Sequence, residues 1–217
     1  YSKFNWSFKL MFKGIKICGV SDSETLNQII NHPYPPNYIG FITNYKKSKR
    51  YIEFEKLKKL LNVNKKNINF VSVMVDPSDT FLEKIKNLNF DYYQLYDVSA
   101  ERTKNIKKIY QTKIISALTI NEKKDVNKYK DYMDISEIIL FDGKGYEKSV
   151  GFNHELLDDL PSTLDKMIAG NIKIEDVPKF KNKDFIIDMS GSLENNEGQK
   201  DIKKIDYLLN LIKKIWN

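Results

Sequence analysis

Cys18 is the only cysteine of the chain and closes its first apolar run, Lys16-Ile17-Cys18-Gly19; a second run, Ile39-Gly40-Phe41, is followed by Lys47-Ser48-Lys49-Arg50-Tyr51. A thiol at the C-terminal end of one strand, with an Arg beyond the next, suits proton transfer on an anionic substrate. The unperturbed thiol pKa near ~8.5 lies close enough to neutrality for neighbours to tune it into a general base. Asp142, directly after Ile138-Ile139-Leu140-Phe141, is placed to act as a general acid if an apolar or anionic setting keeps it neutral. Asp76, Gln94 and Asp188 fall at comparable places, in or just after apolar runs. Position alone leaves plainer roles open, since a lone Cys is commonly a small buried hydrophobe and an Asp at a strand end a turn residue.

The elements that position these groups follow from periodicity. Short β-rich runs alternate with amphipathic stretches from Gly14 onward, the pattern of repeated βα units and a parallel sheet. Eight strands are expected, near Ile15–Val20, Tyr38–Thr43, Phe70–Val75, Tyr92–Tyr96, Ile114–Ile120, Ile138–Phe141, Met167–Gly170 and Phe185–Met189. Helical spacing marks Glu24–Asn31, Phe54–Leu61, Thr80–Leu88, Thr103–Tyr110 and Ile202–Trp216, with Ser23, Asp79 and Ser99 as caps. Eight units in this length suggest a compact single-domain (β/α)8 TIM barrel, with an open doubly wound sheet as the alternative. In a barrel the chemistry gathers at the C-terminal ends of the strands, and phosphate is held by the loops after the seventh and eighth. Here those loops are Ile168-Ala169-Gly170-Asn171 and Asp188-Met189-Ser190-Gly191-Ser192-Leu193-Glu194. Both contain small residues that let a backbone approach an anion, although Gly and Ser mark any tight turn.

Composition narrows the class. The 217 residues are 41% hydrophobic and carry a net charge of +7, which fits one folded domain. Only Arg50 and Arg102 are arginines, and the lysines interleave with acids and helical apolar positions. That pattern reads as solvated helix faces rather than a nucleic-acid surface. No apolar run approaches the ~18 residues of a membrane span, and a single cysteine suits a reducing compartment, so the expectation is a cytoplasmic protein and, with nothing pointing to an exposed apolar face, a monomer. His32 and His154 do not form a pair, and there is no zinc spacing, P-loop, dinucleotide fingerprint or nucleophile elbow. Chemistry without a cofactor or metal is the natural reading. Residues 1–13 read as an N-terminal extension or a cloning remnant, with Met11 as a candidate original start, and residues 14–217 as the barrel.

In order along the chain, these segments resemble the phosphoribosylanthranilate isomerase family of tryptophan biosynthesis. The match is carried by Lys16-Ile17-Cys18-Gly19-Val20-Ser21, Ile39-Gly40-Phe41, Lys47-Ser48-Lys49-Arg50-Tyr51, Val71-Ser72-Val73-Met74-Val75, Asp91-Tyr92-Tyr93-Gln94-Leu95, the two loops above and Gly198-Gln199-Lys200-Asp201. The resemblance implies a (β/α)8 barrel that catalyses the Amadori rearrangement of N-(5-phosphoribosyl)anthranilate to the 1-deoxyribulose 5-phosphate product. It implies Cys18 as the base removing the C2′ proton and Asp142 as the acid protonating the furanose ring oxygen. It further implies Arg50 on the anthranilate carboxylate, a task suited to a planar, permanently charged fork. Gln94 joins the substrate-binding set, and Gly170, Asn171, Ser190, Gly191 and Ser192 form the phosphate loops.

The chain also departs from the family pattern. Gln94-Leu95 continues with Tyr96-Asp97 where the family usually has His-Gly, and the run into Phe152 is Lys148-Ser149-Val150-Gly151 in place of a glycine-rich loop. Asn171 stands for a second glycine, and Gly191-Ser192 inverts a Ser-Gly. A side chain where glycine is usual can push the backbone away from a phosphate, with Lys148 or Ser149 as compensating contacts. The alternatives are therefore a barrel acting on another aminated sugar phosphate and a binding module without catalysis.

Overall fold

The structure, a computed structural model, describes residues 13–143 and 150–216. Residues 1–12 of the expected extension, and the expected contacts of Lys148 and Ser149, lie outside the described residues. Eight parallel strands close in sequence order: β1 (Gly14–Cys18), β2 (Tyr38–Ile42), β3 (Asn69–Val75), β4 (Tyr92–Tyr96), β5 (Lys113–Ile120), β6 (Ile138–Gly143), β7 (Lys166–Ile168) and β8 (Phe185–Met189). The closing register pairs Gly14 with Ile186 and Ile17 with Met189, which an open doubly wound sheet lacks. The fold is a single (β/α)8 barrel.

Strand periodicity divides each strand between two environments. Ile15, Ile17, Ile39, Phe41, Phe70, Ile139, Phe141 and Ile187 face outward into one buried cluster beneath the helices, each worth ~1.5–3 kcal/mol of transfer free energy. The alternate positions face inward, where Val71, Val73, Ile115, Leu140, Met167 and Ile186 fill the barrel. The last helix, α7 when α1 to α6 are counted in order (Ser23–Asn31, Phe54–Leu60, Asp79–Ile85, Ala100–Tyr110, Lys123–Val126, Tyr129–Tyr132), spans Ile202–Trp216 as expected and buries Ile205, Leu208 and Leu209.

Three local expectations are corrected. Two caps move by one residue: Asp22 accepts from Thr25 N at 2.8 Å and Ser78 from Phe81 N at 3.2 Å, while Ser99 caps α4 as expected. In both corrected cases the capping oxygen belongs to the last extended residue, not to the first helical one. The described residues after β6 and after β7 form 3-10 turns, His154–Leu157 and Ile174–Phe180, where βα units would place longer helices. Pro178 lacks the N–H that a longer helix there would use. Finally, β6 runs two residues further than expected, because Thr119 and Ile120 of β5 pair with Asp142 and Gly143. Asp142 is thus held by the sheet and not by a loop.

Candidate active site

Cys18, Arg50, Asp142 and Asp188 meet at the C-terminal end of the barrel around a cavity of about 800 Å³, with Gly170–Ile172 and Ser190–Ser192 on the same wall. Gln94 is not part of the lining. It lies in the barrel interior, 1% exposed, and among the described residues neither its Nε2 nor its Oε1 has a partner. Asp76 is exposed at a left-handed turn after β3, outside the cavity.

Glycines give the chemical groups their room. Gly40 pairs with Cys18 across β1 and β2, and a Cβ there would stand 2.9 Å from Cys18 Sγ and 3.2 Å from Lys16 Nζ. Gly19, at φ +78°, leaves the space that the Arg50 side chain crosses to reach the cavity, since a Cβ would come within 3.2 Å of Arg50 Cγ. At the altered loop, Asn171 holds φ 51°, the left-handed conformation that Asn tolerates better than most residues with side chains. The turn a glycine would make is kept.

The floor of the cavity is a buried ion pair. Lys16 Nζ lies 2.7 Å from Asp188 Oδ2, with side chains 0% and 5% exposed. Burial alone would lower the lysine's pKa, but Asp188 and then Cys18 outweigh it and leave its pKa raised. Lys16 therefore stays cationic beside the thiol. Burial pushes the Cys18 thiol up, Lys16 pulls it down, Asp188 pushes it up again and Lys200 pulls it down, which leaves it above its ordinary value. Asp142 is pushed up to about 7, first by burial and then by Asp188, against a hydrogen bond from Tyr96 Oη at 2.8 Å. One carboxyl is thereby kept able to hold a proton near neutrality beside a thiol that a buried ammonium helps to ionise.

A second network aims Arg50. Glu194 accepts from both Arg50 Nε and, at 3.0 Å, Arg50 Nη2. Its Oε1 also accepts from Lys200 Nζ at 3.0 Å, and Lys200 in turn donates to the Ser190 carbonyl at 3.0 Å. Among the described residues Arg50 bonds Glu194 through Nε and Nη2, which leaves its Nη1 edge for another acceptor. Ser190 Oγ donates to the Cys18 carbonyl at 3.0 Å, tying the loop after β8 to the end of β1. Ser192 Oγ is buried without a partner among the described residues.

Sequence reasoning gave no role to Lys16, Tyr96, Glu194 or Lys200. The available signal was period two. Lys16 and Cys18 on β1, Gln94 and Tyr96 on β4, and Asp188 on β8 are polar at alternate positions of apolar strands, which marks inward-facing groups.

Comparison with known proteins agrees with this geometry. The family model described as N-(5'-phosphoribosyl)anthranilate (PRA) isomerase matches residues 15–210. The N-(5'-phosphoribosyl)anthranilate isomerase of Clostridium acetobutylicum is 32% identical over 212 residues, covering 92% of this chain and 98% of that protein. The one from Agrobacterium fabrum is 29% identical over 209 residues, covering 91% and 94%. The crystal structure of phosphoribosyl anthranilate isomerase from Thermotoga maritima superposes with a TM-score of 0.80 at 22% identity, covering 92% of this chain and 98% of that one. Fold, cavity and sequence agree: the chain belongs to the N-(5'-phosphoribosyl)anthranilate isomerase family.

Proposed function

We propose that this chain isomerises N-(5'-phosphoribosyl)anthranilate, with Asp142 as general acid and Cys18 as general base. The observation that carries the reading is the meeting, at one cavity, of a thiol beside a buried ammonium, a carboxyl held up to about 7 and an arginine aimed by Glu194. A related phosphoribosyl anthranilate isomerase has been crystallised with reduced 1-(o-carboxyphenylamino)-1-deoxyribulose 5-phosphate, a ligand with the same three features: a carboxylate, an amine-bearing sugar and a phosphate.

The steps follow from the groups. Asp142 gives its proton to the furanose ring oxygen as the C1′–O bond breaks, and the anthranilate nitrogen lone pair forms the C=N bond. Cys18, as thiolate, removes the C2′ proton, and the electron pair passes through C1′ to the nitrogen. The enolamine then tautomerises to the ketone. Arg50 holds the carboxylate through its Nη1 edge, and the loops Gly170-Asn171 and Ser190-Gly191-Ser192 hold the phosphate. The unpartnered Ser192 hydroxyl and the retained left-handed Asn171 turn support this placement.

The same reading takes residues 14–217 as the catalytic barrel and residues 1–13 as an extension, in a cytoplasmic monomer. Among the described residues no helix is long and apolar enough to cross a membrane. Among the described residues the exposed large apolar side chains Tyr34, Ile109, Met133, Val150 and Tyr207 come from separate segments, which supports a monomer, although a Thermotoga maritima relative is described as dimeric. Light scattering checks this.

The activity is tested by the loss of anthranilate-type fluorescence when freshly prepared phosphoribosylanthranilate meets the purified protein, with Cys18→Ala and Asp142→Asn alongside. Turnover lost in both variants is expected. A folded wild type without turnover would overturn the reading in favour of another aminated sugar phosphate or of a binding module.

A further inference from the structure

Tyr96 closes β4, where the family pattern usually has a histidine. Its alternation with Tyr92 and Gln94 turns it inward, and it lines the cavity while being only 5% exposed. Its hydroxyl stands 2.8 Å from Asp142 Oδ2. We propose that Tyr96 is a positioning residue for Asp142, occupying Oδ2 so that the transferable proton resides on Oδ1 and bracing the carboxylate that remains after transfer.

Because burial, and then Asp142 itself, raises the pKa of the phenol well above its ordinary value, Tyr96 keeps its proton and acts towards the carboxylate as a donor. When the Oδ1 proton moves to the ring oxygen, the C1′–O electron pair stays on that oxygen and Asp142 becomes anionic. A hydrogen bond to an ionised acceptor is shorter and stronger than one to a neutral acid. The contact thus tightens as the reaction proceeds, which lowers the barrier without tightening ground-state binding.

The setting makes the bond count. Among the described residues, the charged groups that act on Asp142 are Asp188 from β8, which favours its proton, and Lys16 from β1, which opposes it. The flanking strands bring Thr119 and Ala169, neither of which titrates near neutrality. Burial makes Asp142 a weak acid, and Tyr96 keeps it from becoming too weak to deliver. The inference rests on Asp142 as the general acid.

The test titrates Asp142 in the unliganded protein by carbon-13 NMR of labelled aspartate carboxyls, its signal assigned with Asp142→Asn. Wild type is compared with Tyr96→Phe and Tyr96→His, and kcat and KM are measured on each. In Tyr96→Phe the Asp142 midpoint should rise by about one pH unit, with kcat falling about tenfold to a hundredfold and KM nearly unchanged. Tyr96→His, which restores a donor, should recover part of both, and it serves as the second probe if the phenylalanine variant is poorly folded. An unmoved midpoint, or a loss seen only in KM, would overturn the inference. If Asp142→Asn keeps its turnover, the acid assignment itself fails; if Asp142→Asn is inactive while Tyr96→Phe titrates and turns over like wild type, only the role of Tyr96 fails.

Discussion

Gly40 and Cys18 face each other across β1 and β2, and the thiol occupies the space a side chain at Gly40 would take: a Cβ there would stand 2.9 Å from Sγ. Such an approach is closer than packed side chains tolerate, so the glycine sets where the sulfur can sit. Gly40→Ala should leave the barrel folded, because φ at this strand position suits any residue, yet displace the sulfur by a few tenths of an ångström. We expect kcat to fall roughly tenfold to a hundredfold, with KM little changed, in steady-state assays run beside circular dichroism.

The pair of titrating groups fixes the shape of the pH profile. Asp142 is pushed up to about 7 and the Cys18 thiol above its ordinary value, each first by burial. On the proposed assignment the active form carries one proton, on the carboxyl, with the sulfur ionised. Below the Asp142 pKa the pair holds one proton too many, and above the thiol pKa it holds none. The profile of kcat/KM should therefore be a bell, with an acid limb near 7 and an alkaline limb above the ordinary thiol range. A single alkaline limb near 7, with no acid limb, would contradict the pairing.

Asp142 also couples function to stability. A carboxyl whose folded pKa exceeds its unfolded value of ~3.9 binds its proton more tightly when folded, so stability falls as pH rises from about 4 to about 7 and stays lower above that. Asp142→Asn removes this penalty. It should abolish turnover and yet melt roughly 5 °C higher than wild type at pH 8, with the difference vanishing near pH 4. Calorimetry at the two pH values checks the sign.

Lys16 and Asp188 are a buried pair at 2.7 Å. Removing one partner of such a pair strands the other, at a cost of about 3–5 kcal/mol. Lys16→Met should lower stability by that order, and adding Asp188→Asn should restore most of it. Activity should not return, because the ammonium beside Cys18 is gone. As Cys18 is the chain's only thiol, the pH dependence of its alkylation by iodoacetamide reports its ionisation directly. In folded protein carrying both changes that dependence should move to higher pH.

Glu194 joins Arg50 to Lys200. Glu194→Gln keeps the shape but leaves two cations, one of them almost fully buried, without their shared counter-charge. KM should rise about tenfold as Arg50 loses its orientation, with kcat within a few-fold of wild type. Equal losses in kcat would instead place Glu194 in the chemical step.

Several features of this protein were settled by local sequence. The alternation of period-two and helical runs located all eight strands and the last helix, because those periodicities follow from the backbone geometry of each segment alone. Placing Cys18 at the end of β1 required no more than this, and Arg50 and Asp142 were picked out in the same way. Cap positions slipped because adjacent residues, Asp22 and Ser23 or Ser78 and Asp79, have equally suitable side chains; which one caps depends on where the chain turns.

What holds these groups in their working state was decided by the tertiary structure. Lys16 meets Asp188 across 172 residues, Arg50 meets Glu194 across 144 and Tyr96 meets Asp142 across 46. Closure of the sheet and its stagger determine which inward-facing side chains share a level, and no local window encodes either. The raised pKa of Asp142, the charge of Lys16 and the aim of Arg50 depend on burial and on those partners, so the sequence picked out Cys18 and Asp142 as candidates while the closed barrel set their surroundings.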